Sequence, residues 1–107
     1  MYQFGENDKL DDFLEKNRMV LLEFGSSLCM PCGSLKEKIE NREKDWDDVE
    51  CVYISFDSEK KLAADFGVFA VPTVLFYVDG KLTIRESGYF SMDSIFERIE
   101  RYRELLK

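Results

Sequence analysis

A mixed α/β fold in the order β-α-β-α-β-α-β-β-α is what this sequence predicts, and three observations carry the prediction. The runs MVLLEF (Met19 to Phe24), VECVYISF (Val49 to Phe56) and TVLFYV (Thr73 to Val78) are rich in β-branched and aromatic residues, the pattern of strands buried on both faces. Between them lie stretches whose apolar residues recur at helical spacing. After Val71-Pro72 the alternation breaks, because Asp79-Gly80 joins TVLFYV to KLTIRESG through a short turn that reads as an antiparallel hairpin.

Taken in order, Tyr2 to Phe4 reads as a short first strand, followed by a helix carrying Leu10, Phe13 and Leu14 behind an Asn7 or Asp8 cap. After the Met19 run, Leu35, Ile39 and Trp46 mark a second helix within a charged stretch. The Val49 run leads to a third helix with Leu62 and Phe66, which stops at Gly67. The hairpin follows, then a last helix capped by Ser91. It lines up Ile95, Ile99, Tyr102 and Leu106, with Glu97, Arg98, Glu100, Arg101 and Glu104 mostly outside that stripe. No repeat and no Pro/Gly/Ser linker interrupts the chain, so we expect one domain over residues 1–107.

With 107 residues, 45% of them apolar, the chain can bury one core. Fifteen basic against 22 acidic residues give a net charge of −7, which repels phosphate backbones and anionic lipid surfaces. Nucleic acid and membrane are therefore not expected partners. No apolar run approaches the ~18 to 20 residues of a membrane span, and MYQFGENDKLDD lacks the basic and apolar regions of a signal peptide. The expectation is a monomer in the cytoplasm.

Chemistry concentrates in LLEFGSSLCMPCGSL, Leu21 to Leu35. Three cysteines do not make a disulfide scaffold, and a closed zinc site needs four ligands, where this chain has Cys29, Cys32, Cys51 and no histidine. No metal and no bound cofactor are expected. Cys29 follows a strand by a Gly-Ser-Ser connection and opens a helix, so backbone N–H groups and the positive end of the helix dipole favour its thiolate. With Cys29 as the cap, Pro31 falls in the first turn, where its missing N–H costs nothing, and the Cys32 amide comes within reach of the Cys29 sulfur. The spacing suits a reversible disulfide between an exposed attacking Cys29 and a less exposed resolving Cys32. Two other readings stand beside this one: a pair of ordinary buried thiols, and an iron–sulfur cluster shared by two chains.

LLEFGSSLCMPC, FGVFAVPTVLFYVDGK and ESGYFS together resemble the thioredoxin family over nearly the whole chain. The resemblance implies a thioredoxin-like three-layer α/β/α sandwich with a mixed five-stranded sheet, and a cis proline facing the dithiol, here Pro72 after Val71. It further implies that Val71, Pro72 and the Gly88-Tyr89 turn dock the substrate chain. Where the family usually has tryptophans this chain has Gly25 and Leu28, so Leu28 and Met30 become the apolar contacts beside Cys29. Gly33, Glu37 and Tyr53 stand where the family often has a basic residue, a proline and a lysine.

An acid within a buried strand is costly unless paired or protonated, and burial raises its pKa toward neutrality, as a proton acceptor requires. The resemblance assigns this task to Glu23, which would take the proton of Cys32, directly or through water; the alternative is a glutamate that snorkels or pairs with a base. Cys51 reads as a small core residue, and Trp46, Phe66 and Phe69 read as packing. The expected activity is reduction of protein disulfides, with a flavin- and NADPH-dependent reductase, as in the family, or another thiol donor restoring the dithiol. The alternative is a non-turnover module that senses redox state or holds a partner.

Overall fold

A computed structural model describes all 107 residues. Its elements are β1 (Tyr2–Gln3), α1 (Leu10–Lys16), β2 (Met19–Gly25), α2 (Met30–Glu43), β3 (Val49–Ser55), α3 (Lys60–Asp65), β4 (Thr73–Val78), β5 (Lys81–Ser87) and α4 (Met92–Leu105). This is the predicted order. The five strands form one sheet ordered β1-β3-β2-β4-β5, in which β1 and β2 run parallel to β3, and β4 runs antiparallel to both β2 and β5. The sheet is mixed because β4, reached through α3, enters antiparallel to β2, and the Asp79-Gly80 turn then returns β5 antiparallel to β4. Both turn residues take positive φ, 51° and 77°, as a tight hairpin of this twist demands.

β2 is the centre, paired along its length on both sides, and every one of its residues is buried. Alternate side chains of a strand point to opposite faces. Met19 and Leu21 join Cys51, Val74 and Phe76 in the core under α2 and α4, while Val20, Leu22 and Phe24 join Val52, Ile54 and Leu75 in the core under α1 and α3. Three layers result. Cys51 is buried and unpaired, the small core residue expected.

Two details depart from the sequence reading. The cap of α1 is Lys9, which makes no side-chain capping bond, in place of Asn7 or Asp8. One Asp8 oxygen, Oδ2, accepts both the Gly5 N–H at 2.8 Å and the Tyr2 hydroxyl at 2.8 Å, which draws the side chain back onto the preceding turn. Trp46 lies beyond α2, in the connection to β3. It is still buried: its ring meets Phe96 edge-on and its N–H donates to Glu100. At the last helix, Ser91 caps as expected, its Oγ accepting the Ser94 N–H at 3.2 Å.

Candidate active site

β2 ends at Gly25, and the chain turns through Ser26 to Leu28 into α2. Ser26 organises that turn. Its hydroxyl donates to Asp57 at 2.7 Å and accepts the Leu28 N–H at 3.3 Å, while its carbonyl accepts the Cys29 N–H at 3.1 Å. Sequence reasoning missed Ser26 and Asp57, although a serine opening a tight turn signals this bonding. Cys29 caps α2 in extended conformation, and its sulfur accepts the Cys32 N–H at 3.3 Å. Pro31 stands in the first turn, with no N–H to leave unpaired. Cys29 and Cys32 are joined by a disulfide with their Cα atoms 5.3 Å apart. Cys29 is half-buried and Cys32 completely buried, so the two sulfurs differ in access.

Glu23 lies on β2, two residues before Gly25 and on the α2 side of the sheet. It is inaccessible to solvent and neither carboxylate oxygen has a hydrogen-bond partner, which excludes the snorkelling and salt-bridged alternatives. Burial pushes its pKa up to about 8; Lys36 pulls it down by less, and Glu40 adds a smaller upward push.

The Val71-Pro72 bond is cis. The loop carrying it is held from three directions: the Gly88 N–H donates to the Pro72 carbonyl at 3.0 Å, the Thr73 hydroxyl bonds the Ala70 carbonyl at 2.6 Å and Ser87 at 2.8 Å, and Arg85 donates to the carbonyls of Phe66 and Gly67. A groove lined by Pro31, Pro72, Gly88, Tyr89 and Met92 joins the start of α2 to this loop and to the Gly88 turn. Tyr89 of this lining is strongly exposed, as are Leu28 and Met30, the chain neighbours of Cys29. Phe69 corrects the sequence reading: it is 77% exposed and does not pack. The Arg85 bonds hold the backbone at the end of α3, ahead of Phe69.

The thioredoxin family profile matches residues 3–101. The chain belongs to the thioredoxin family. It is 26% identical over 95 residues to the thioredoxin of Mycoplasmoides gallisepticum, covering 86% of this chain and 92% of that one. It is 27% identical over 103 residues to the thioredoxin of Chlamydia muridarum, covering 96% and 100%. Among solved structures, Fasciola hepatica thioredoxin superposes with a TM-score of 0.83 at 28% identity, over 94% of this chain and 98% of that one. A thioredoxin variant from Halobacterium salinarum gives 0.84 at 29% identity, over 94% and 88%. A thioredoxin whose C-x-x-C pair sits at disulfide distance is a thiol–disulfide oxidoreductase with protein-disulfide reductase activity. No helix of this thioredoxin is long and apolar enough to cross a membrane.

Proposed function

We propose that this thioredoxin reduces protein disulfides through Cys29 as nucleophile and Cys32 as resolving thiol, working as a monomeric single domain over residues 1–107. The Cys29 thiolate attacks one sulfur of the substrate disulfide, forms a mixed disulfide and releases the other substrate sulfur as a thiolate. Cys32 gives its proton to Glu23, directly or through water, and its sulfur bonds to that of Cys29. The Cys29–substrate bond breaks, and the second substrate sulfur leaves with the electron pair. The observation that carries this reading is the asymmetry at the head of α2: an accessible Cys29 sulfur accepting a backbone N–H at a helix N-terminus, which favours its anion, above a fully buried Cys32.

Substrate docks along Val71, Pro72 and Gly88, flanked by Leu28 and Met30, to which the exposed rings of Phe69 and Tyr89 add aromatic area. A flavin- and NADPH-dependent reductase, or another thiol donor such as glutathione, returns the electrons, giving a role in electron transport and redox homeostasis of the cytoplasm. The test is insulin reduction with dithiothreitol as donor. Many turnovers per chain are expected from the wild type and none from Cys29→Ser, while Cys32→Ser accumulates mixed disulfides with its clients. Turnover that survives Cys29→Ser would overturn the assignment.

A further inference from the structure

Glu23 and Tyr53 are partners in the parallel register of β2 and β3, so both side chains leave the sheet on its α2 side, next to each other. Two residues further along β2 stands Gly25. A Cβ there would lie 2.5 Å from the Tyr53 hydroxyl oxygen and 3.0 Å from the Cys32 Cβ. The tyrosine hydroxyl thus occupies the space a side chain at Gly25 would fill, and it reaches the flank of the resolving cysteine. From the other side the Lys36 ammonium, one helical turn after Cys32, sits 4.7 Å from the centre of the Tyr53 ring. Tyr53 is itself only partly buried, whereas Glu23 beneath it is sealed.

We propose that Tyr53 and Lys36 are positioning residues that set the acidity of Glu23: Tyr53 plugs the gap left by Gly25 and keeps water from the carboxylate, and Lys36, held against the ring, supplies a positive charge. The two act in opposite directions. Exclusion of water disfavours the carboxylate, while the ammonium favours it. The other charged and titratable groups facing this point are Glu40 on α2, which raises the Glu23 value, and Asp57 after β3, which acts on Tyr53. The neighbour of Glu23 on β4 is the apolar Val74. The arrangement deepens the proposed role of Glu23, and rests on it for its catalytic consequence.

The experiment titrates the Glu23 side-chain carboxyl carbon by 13C NMR in the oxidised protein, where the cysteine pair does not ionise, and repeats the titration in three variants. Lys36→Met should raise the inflection by roughly half a pH unit or more; Tyr53→Ser should lower it by a similar amount or more. Tyr53→Phe, which retains the ring, should stay near the wild type. Opposite shifts from two neighbouring substitutions are not what general loosening of the fold gives, and Lys36 is a surface residue whose loss leaves the core intact. An unmoved inflection in both Lys36→Met and Tyr53→Ser overturns the proposal. Release of the second 2-nitro-5-thiobenzoate from a mixed disulfide on Cys29 then reads the catalytic step: its pH profile should shift with the NMR value. If Glu23→Gln leaves that profile unchanged while the NMR shifts appear, the proton-acceptor role fails and the tuning of Glu23 stands.

Discussion

Replacing Glu23 by Gln should stabilise the oxidised protein by an amount that grows with pH. The carboxyl is sealed from solvent, has no hydrogen-bond partner, and is lifted by burial from 4.5 to about 8. In the unfolded chain the same group ionises near its ordinary value. Between those two values the folded state holds a proton that the unfolded state has released, so stability falls as pH rises through the window. Below about pH 4 both states are protonated and no charge is buried; above about pH 8 the penalty is complete. At 1.36 kcal/mol per pH unit, the whole penalty is on the order of 5 kcal/mol, of which about 3 kcal/mol is felt at pH 7. Glutamine carries no such proton, and its variant lacks this slope. The assay is urea unfolding of both oxidised proteins at half-unit steps from about pH 4.5 to 8.5. The disulfide removes Cys29 and Cys32 from the titration, and burial pushes the Cys51 thiol far above the window. The stability difference should widen by ~3 kcal/mol between pH 4.5 and 7. Parallel curves would refute the buried, unpartnered acid.

Gly25→Ala should cost about 1 to 3 kcal/mol by forcing a Cβ onto the Tyr53 hydroxyl and Cys32. Adding Tyr53→Phe removes the nearer of those two contacts and should return part of the loss, so strictly additive costs in urea unfolding would contradict the packing. Ser91→Ala removes the cap of α4 and should lower stability by about 1 kcal/mol with an unchanged denaturant slope; no shift in midpoint would deny the capping bond its weight. Phe69→Ser should leave stability within about 0.5 kcal/mol, because the ring is exposed, yet lower kcat/KM for insulin roughly fivefold. Equal kcat/KM would remove Phe69 from the docking surface.

The strands were legible because a chain buried on both sheet faces has few polar positions to blur it, and β2 is such a chain. The hairpin was legible for a related reason, since Asp79-Gly80 is chemistry that little else uses. Local competition hid the rest. Asp8 has the right chemistry for a helix cap, and only the fold shows that Gly5 and Tyr2 share one of its oxygens and draw it back onto the preceding turn. Trp46 follows Ile39 by two helical turns, a spacing that a chain leaving the helix satisfies as well as one continuing it. Phe69 is aromatic in a chain rich in buried aromatics, and no local pattern distinguishes it from them, though its ring faces solvent. At the site, the cysteine geometry could be reasoned from cap rules alone. Lys36 could not be tied to Glu23, because the link runs through Tyr53 on another strand.

Why the chain keeps a carboxyl that works against its own stability follows from where the residue stands. Glu86 on the edge strand β5 lies half-buried, within 3.8 Å of Arg98, as an acid does when its strand has a free side. Glu23 has no such escape. β2 is bonded to β3 on one side and β4 on the other, and its neighbours along the same face are Leu21 and Gly25. The central strand holds the carboxyl beneath the head of α2, and the penalty is tolerable because the rest of β2 is apolar and fully buried. Within that frame the adjustable part is the covering, Tyr53 and Lys36, since both reach the surface and neither is needed to close the sheet. A lysine at position 53 would bring a charge from β3. Here the charge comes from α2 and the strand contributes a ring, so the acidity of Glu23 is set between two opposing groups.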